Sequence, residues 1–353
     1  MNPLFTLPLH GIRCIPNSVQ KSSDFCTDIT LKFCKISVNP ELKPIWQLKD
    51  QGQRYISEIS LFEEKVKDKV KAKEKDTEQN VEQNQVKSAN AAASYLLKVN
   101  CQGSGVFKID ANTISIDWQA NGTDSAHYFQ TLTAALYLEL NHVLCIHANA
   151  LAYNDHAIAF VAPSRTGKTT LTAALNKHGF KLMTDDMMAL HQHSETNEYT
   201  VYPSWPVARM WPDTLSEVLG EQGVNCEKVH ANFAKRVVTP NSNTSSNSDI
   251  TFDFCQQAKK LKVIYLLQRD ESAIDNTEQH FCRISNISTA EAVIILLKNS
   301  ILGSAYSVLG LESARVKALA KLVHNIPFKQ VSFSSGKSNL NNVCNSIKQD
   351  IQK

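Results

Sequence analysis

The sequence has few glycines and prolines, no closely paired cysteines and no long apolar run. It holds 12 glycines and 11 prolines among 353 residues, which excludes a collagen-like or low-complexity chain. The nine cysteines are widely spaced without a CxxC pair, so zinc-ribbon and dithiol redox sites have no signature here and we expect scattered reduced thiols. The most apolar stretch, Ala292–Leu297, is far shorter than the ~20 residues of a membrane span.

The charge balance is also unremarkable, with 37 basic and 34 acidic residues and a net charge of +3. Such a chain is too close to neutral for its main partner to be the phosphate backbone of a nucleic acid. The N-terminal segment lacks the basic region and apolar core of a signal peptide. We therefore expect a cytoplasmic protein that binds neither nucleic acid nor a membrane.

The composition and the hydrophobic pattern change along the chain and predict a two-part organisation. Residues 1–62 alternate short apolar runs with turns and favour a strand-rich N-terminal region. Residues 63–92 are rich in Lys, Glu and Gln, which predicts a flexible, charged insertion or a solvated helix. Residues 93–140 read as an antiparallel meander and a helix that complete the N-terminal domain, and residues 141–353 as an α/β nucleotide-binding core.

The clearest motif is the segment APSRTGKT, which fits a phosphate-binding loop except that Ala162 stands where the first glycine is expected. An apolar strand precedes it and an amphipathic helix follows, as such a loop requires. Gly167 lets the backbone approach a phosphate, Lys168 can reach the outer phosphates, and the Thr169 hydroxyl can bind Mg²⁺. The predicted nucleotide-binding residues are Ser164, Arg165, Thr166, Gly167, Lys168, Thr169 and Thr170.

Two adjacent acids, Asp185 and Asp186, end a short apolar run seventeen residues after Lys168. Beside a phosphate loop, one carboxylate can hold Mg²⁺ and the other can accept the proton of an acceptor hydroxyl. We take Asp185 with Thr169 as the candidate metal ligands and Asp186 as the candidate base. The spacing alone does not distinguish these two roles, and a solvated strand end is the simpler alternative.

Four further polar residues stand in or beside predicted strands. His147 lies in an apolar run, where a hydrogen-bonded core histidine is the usual finding, although its ordinary pKa of about 6.5 also suits proton transfer. Arg209 lies between apolar residues and needs a partner, either a phosphate or a carboxylate. Lys235 and Arg236 form a basic pair that either closes on the nucleotide or is only surface charge, and surface charge is slightly favoured.

In order along the chain, the segments IHA, APSRTGKTTL and HGFKLMTDD resemble those of the HPr kinase-related family of bacterial P-loop kinases. The later segments YPSWPVARMWPD, KLKVIYLLQRD and ISTAEAVIILL are similar as well, so the resemblance covers about residues 95–335. It implies an α/β kinase core of the HPr kinase and phosphoenolpyruvate carboxykinase type, joined to a smaller strand-rich domain. It also implies a phosphotransferase that uses ATP and Mg²⁺ to phosphorylate a serine or similar hydroxyl.

Residue by residue, the resemblance places Lys168 and Thr169 at the phosphate and metal positions. It places Asp185 and Asp186 at the metal and base positions, and His147 at an active-site histidine. HPr kinase/phosphorylases carry a downstream Gly-rich signature with an Arg-Asn pair, which is absent from this sequence. The resemblance therefore does not imply that HPr itself is the substrate. Relatives with this shortened pattern include kinases of a peptide C-terminal serine, and homo-oligomers are common among them.

The acceptor is therefore a hydroxyl of a peptide, a protein or a small molecule. Two alternatives stay open. A nucleotide-binding regulatory module without catalysis would need the same phosphate loop, and the Ala at position 162 permits it. A carboxykinase acting on a metabolite would share the fold, but this chain is short for one.

Overall fold

A computed structural model describes most of the chain. The described residues are 2–16, 27–50, 57–65, 93–101, 103–119, 124–163, 166–219, 226–230, 233–239, 252–270 and 281–353. Nearly all of the predicted charged insertion, residues 66–92, lies outside these ranges. The chain divides into two compact units, one formed by Cys14–Ser125 and one by Met1–Arg13 with Ala126–Lys353.

The unit Cys14–Ser125 is built around a seven-stranded sheet in the order β1-β2-β7-β6-β5-β4-β3. Strands β3 to β7 are antiparallel neighbours, whereas β2 runs parallel to β7. The period-two alternation after Tyr95 predicted an antiparallel meander, and β5, β6 and β7 pair in that way. The strands are β1 (Ile12–Pro16), β2 (Thr27–Phe33), β3 (Trp46–Asp50), β4 (Ser57–Lys65), β5 (Ala93–Asn100), β6 (Ser104–Asp110) and β7 (Thr113–Gln119).

The second unit begins with helical segments and continues as alternating strands and helices. Its helices are α1 (Ser125–Tyr128), α2 (Ala134–Leu140), α3 (Lys168–Lys177), α4 (Pro212–Leu219), α5 (Thr289–Lys298), α6 (Ala305–Val308), α7 (Glu312–Asn325) and α8 (Leu340–Gln352). Its strands are β8 (Leu144–Ile146), β9 (Asn149–Tyr153), β10 (His156–Val161), β11 (Lys181–Thr184), β12 (Met188–Gln192), β13 (Tyr199–Val201), β14 (Ala208–Met210), β15 (Lys228–His230), β16 (Phe233–Val238), β17 (Lys259–Asp270), β18 (Cys282–Asn286) and β19 (Phe328–Ser334).

The main sheet of this unit has nine strands among the described residues, with the order β11-β9-β10-β17-β13-β12-β8 and with β19 joining β17 to β18. The long strand β17 runs parallel to β10 along its first half and parallel to β19 along its second. A separate small sheet, β14-β16-β15, is antiparallel. The protein is thus a mixed α/β structure with several sheets.

Side-chain alternation along β10 explains why helices cover both faces of the main sheet. Ile158 and Phe160 contribute to a core cluster with α3 and α8, whereas Ala157 and Ala159 contribute to a second cluster with α5 and α7. Successive strand residues point to opposite faces, so an uninterrupted apolar strand has to be covered on both sides. This layering holds the loop between β10 and α3 at one end of the sheet.

Two features differ from the sequence expectation. The helix predicted at the end of residues 93–140 is interrupted, because Phe129–Thr133 forms a π-helical turn between α1 and α2. The sequence analysis expected this helix to complete the N-terminal domain, whereas α2 lies in the second unit. Among the described residues, none of the helices combines the length and apolar composition needed to cross a bilayer.

Candidate functional site

The loop between β10 and α3 ends in a left-handed residue. Gly167 has φ of 99° and precedes the first residue of α3, and a Cβ placed there would meet no atom of the described residues within 4 Å. Glycine adopts this backbone conformation without strain. Thr166 closes the loop, since its amide and its hydroxyl donate to the Pro163 carbonyl at 3.3 and 2.9 Å. The predicted residues Ser164 and Arg165 lie outside the described part of the chain.

The first turn of α3 carries the other predicted phosphate-binding residues. Burial lowers the pKa of Lys168, and Asp186 and Asp185 act against this by stabilising its charged form. The lysine and the acidic pair therefore lie close enough to interact. Thr169 is half-buried in the same turn. Thr170 is hydrogen-bonded through its hydroxyl to that of Thr214 in α4, at 3.1 Å.

A buried asparagine connects α3 to the acidic pair. Asn149, at the start of β9, is fully buried. Its Nδ2 donates to Thr172 Oγ1 in α3 at 3.1 Å, and its Oδ1 accepts from the backbone N–H of Asp186 at 3.3 Å. Asp186 has φ of 68°, a left-handed conformation that a non-glycine residue adopts at a cost. The contact from Asn149 helps to hold this turn beside the helix.

The two acids have different surroundings. Asp185 is buried, and this burial together with the neighbouring charge of Asp186 raises the pKa of Asp185. Asp186 is only partly buried, and the cations Lys235, Arg209 and Lys168 outweigh the effect of this burial and lower its pKa. Near neutral pH, Asp186 is therefore the firmly ionised member of the pair, as a proton acceptor must be before it acts.

Arg209 contacts both acids. Its backbone N–H donates to Asp185 Oδ2 at 2.7 Å, and its Nη1 lies 3.6 Å from Asp186 Oδ2. The guanidinium group is buried, and Nη2 donates to the side-chain oxygen of Gln130. The structure thus pairs Arg209 with a carboxylate, which was one of the two partners that the sequence allowed.

Lys235 belongs to the same group, although the sequence favoured it as surface charge. In the small sheet Arg209 pairs with Val237, so Lys235 lies on the same face as Arg209. It is half-buried, its Nζ lies 6.0 Å from the ring centre of Trp211, and its charge influences the pKa of both acids. Arg236 points to the other face and donates to the Cys226 carbonyl at 3.3 Å. Neighbouring residues of a strand point to opposite faces, and the pairing of β14 with β16 decides that Lys235 shares the face of Arg209. The sequence does not reveal this pairing.

His147 follows β8 and lies near the same charges. Its backbone N–H donates to the Asn299 carbonyl at 2.8 Å. Burial lowers the pKa of its imidazole to about 4, with Lys168 adding to the effect and Asp186 opposing it. The ring is therefore neutral at pH 7. A neutral imidazole can accept a proton or a hydrogen bond but adds no positive charge to the site.

The oxygen donors of the site suit a magnesium ion. Among the described residues there is no cluster of three or more His, Cys, Asp or Glu side chains that could hold a metal by themselves. Magnesium typically takes only one or two carboxylates and completes its shell with water and substrate phosphates. The hydroxyl of Thr169 and the buried carboxylate of Asp185 fit that requirement, since a cation would offset the poorly compensated charge of Asp185.

The candidate site thus contains two residues that the sequence analysis missed, Asn149 and Gln130, and one, Lys235, for which it favoured surface charge. Asn149 comes two positions after His147, but an asparagine at the start of an apolar strand carries no distinctive signal. Gln130 is polar within an apolar helical pattern, and such a residue in a buried position needs hydrogen-bond partners. That pattern is the one signal that could have found it.

Comparisons with known proteins add little. No protein-family model matches the chain, and no curated protein matches it. Among solved structures, the structure of the Hpr(Ser) kinase/phosphatase from Coxiella burnetii is similar with a TM-score of 0.28 and 13% sequence identity, over 60% of this chain and 99% of that chain. A similarity this low carries no argument about activity. The family resemblance of the sequence segments stays a prediction, and the function rests on the contacts of the site.

Proposed function

We propose that the protein is an ATP- and Mg²⁺-dependent phosphotransferase that moves the γ-phosphoryl group of ATP to a hydroxyl, as in a serine of a peptide or protein or in a small molecule. The observation that carries this proposal is the convergence of Lys168, at the start of α3, with the acidic pair and Arg209. Phosphoryl transfer needs mainly positioning and charge neutralisation, and these groups supply both.

The loop and helix supply the nucleotide site. None of the described residues blocks the approach of phosphate oxygens at Gly167 to the amides of the first turn of α3, whose N-terminus attracts anions. Lys168 adds its ammonium group there, and the carboxylates of Asp186 and Asp185 stabilise the charged form of this group. Thr169 and Asp185 would hold Mg²⁺, which when bound neutralises negative charge on the phosphate oxygens.

The acidic pair and its cations supply the acceptor side. Asp186 is ionised and accepts the proton of the acceptor hydroxyl, while Arg209 and Lys235 balance negative charge on the group being transferred.

The test uses the full chain with Mg²⁺ and γ-labelled ATP, against a panel of serine-containing peptides and a cell extract. We expect label on an acceptor. Lys168→Met should reduce transfer by about 100-fold or more, as the loss of one preorganised charge does in other enzymes. Lys177→Met is the matched control because it changes a lysine at the opposite end of α3, about 13 Å away along the helix.

Two results would count against the proposal. Normal transfer by Lys168→Met would exclude the assigned phosphate site. Tight ATP binding by the natural sequence without transfer to any acceptor would instead favour the non-catalytic regulatory module.

A further inference from the structure

Gln130 makes two buried hydrogen bonds at the edge of the candidate site. Its Oε1 accepts from Arg209 Nη2, and its Nε2 donates to Ser204 Oγ at 2.7 Å. The side chains of all three residues are almost completely removed from solvent. Gln130 therefore uses both ends of its amide, one to hold the guanidinium group and the other to fix its own orientation.

The backbone that carries Gln130 is irregular. Phe129–Thr133 forms a π-helical turn, a rare arrangement that is frequent at functional sites. Its neighbour Phe129 stacks on Trp205 with ring centres 5.8 Å apart and meets Phe5 edge-on at 5.0 Å. These aromatic contacts anchor the turn, so that the side chain of Gln130 is directed from a rigid support.

The guanidinium group of Arg209 is consequently held along one edge. Its Nη2 is occupied by Gln130, whereas its buried Nη1 makes no hydrogen bond with any residue that the structure describes. That nitrogen lies 3.6 Å from Asp186 Oδ2, within ion-pair distance but beyond a hydrogen bond. A buried donor without an acceptor is costly, which points to an oxygen of a ligand as its partner.

We propose that Gln130 is a positioning residue for Arg209. Because the guanidinium group is planar, fixing Nη2 also fixes Nη1, and Nη1 then faces Asp186 and the negatively charged oxygen of the group being transferred. Ser204 orients the Gln130 amide. This inference rests on the proposed function for its catalytic consequence, but the restraint on Arg209 can be measured without any reaction.

The first experiment follows the Arg209 guanidinium group by ¹⁵N and ¹³C NMR, with its signals assigned by Arg209→Lys. We expect restricted rotation about the Cζ–Nη2 bond in the natural sequence. Gln130→Met, which has similar volume but no acceptor, should release this rotation. Gln130→Glu restores an acceptor and should restrict it again. Unchanged rotation in Gln130→Met would overturn the inference.

The second experiment measures phosphate transfer by the same variants. Gln130→Met should lower kcat by about 10- to 100-fold, because misplacement of a catalytic group has effects of this size, and should change KM for ATP by less than about threefold. Gln47→Met is the matched control, because its Nε2 also donates to a serine, Ser60 Oγ at 3.1 Å, in the other unit. An unchanged kcat in Gln130→Met would overturn the catalytic part.

The two experiments separate the two proposals. If the natural sequence shows no transfer, the proposed function fails while the NMR comparison still decides whether Gln130 restrains Arg209. Should Gln130→Met not fold, Ser204→Ala removes the second hydrogen bond of Gln130 and leaves its acceptor in place. We then expect a partial release of the Arg209 rotation, and its absence would overturn the inference.

Discussion

The side-chain oxygen of Asn149 accepts a hydrogen bond from the backbone N–H of Asp186 at 3.3 Å. Because the amide of the same side chain donates to Thr172 in α3, this helix and the acidic turn share one buried connector. This connector explains how a left-handed turn at Asp186 is held next to Lys168.

Asn149→Ala should weaken both the fold and the reaction. The change leaves buried polar partners unsatisfied, so we expect the free energy of unfolding to fall by about 1–3 kcal/mol. The turn at Asp186 loses its support, so phosphate transfer should fall as well. Chemical denaturation and transfer assays measure the two effects. A loss of stability with an unchanged kcat would show that Asn149 does not position the acid.

Asn325→Ala is the matched control for that change. The side chain of Asn325 is exposed and donates to the carbonyl of Lys321, at 2.8 Å, in its own helix. Exposed substitutions of this kind change the free energy of unfolding by less than about 0.5 kcal/mol. Transfer should be unaffected.

The two acids should respond in opposite directions to the same substitution. Asp185→Asn removes a buried charge that burial and Asp186 disfavour, and the new amide oxygen can still accept from the Arg209 N–H. We expect the protein to become more stable at pH 7.5 by about 1–3 kcal/mol. Asp186→Asn removes a charge that three cations favour, so it should destabilise. Both variants should lose most of the transfer activity.

Thermal denaturation measures the stability of the two variants. The buffer contains a chelator, so that bound metal does not contribute to Tm. Equal shifts of Tm in the same direction would contradict the assigned environments. Normal transfer by Asp186→Asn would contradict its role as the base.

Lys235→Met and Arg236→Met test which face of β16 contributes to the site. Lys235 lies on the Arg209 face and acts on both acids, whereas Arg236 binds the Cys226 carbonyl on the other face. We expect transfer to fall about tenfold or more in Lys235→Met, because a charge that stabilises the transferred group is lost. Arg236→Met should stay near the natural rate. Equal losses of transfer by the two variants in a steady-state assay would contradict the inference that the Lys235 face of β16, and not the Arg236 face, contributes to the site.

His147 should make the stability depend on pH. Its pKa in the folded protein is lowered to about 4, while an unfolded histidine has its ordinary value of about 6.5. The folded state therefore binds fewer protons between these values, so this contribution is complete above pH 6.5 and is lost as the pH falls to about 4. The contribution of His147 to the free energy of unfolding is about 1–3 kcal/mol, a value reduced because the imidazole is partly exposed.

His147→Gln should remove that dependence. Urea denaturation at a series of pH values from 4 to 7 compares the variant with the natural sequence. His156→Gln, at an exposed position of β10, is the control and should keep the original curve. Identical pH curves for His147→Gln and the natural sequence would contradict a buried neutral imidazole.

Local patterns in the sequence were sufficient for part of the site. The apolar run of β10, the glycine before Lys168 and the amphipathic helix are all encoded within about twenty residues, and the structure has a strand, a loop and a helix there. The pair Asp185 and Asp186 was recognisable because its position after a short apolar run is also a local property. Periodicity and turn chemistry act over this range, so the sequence alone determines them.

The partners of those residues were decided only by the tertiary structure. Asn149 reaches Thr172 and Asp186 across 23 and 37 residues of chain, and Gln130 reaches Arg209 across 79. Lys235 joins the acids only through the pairing of β14 with β16. The few glycines and prolines excluded a collagen-like or low-complexity chain, and the scattered cysteines left no zinc-ribbon signature, but burial and strand register decide which charges meet. Neither property can be read from neighbouring residues, because each depends on segments that come together only when the sheets form.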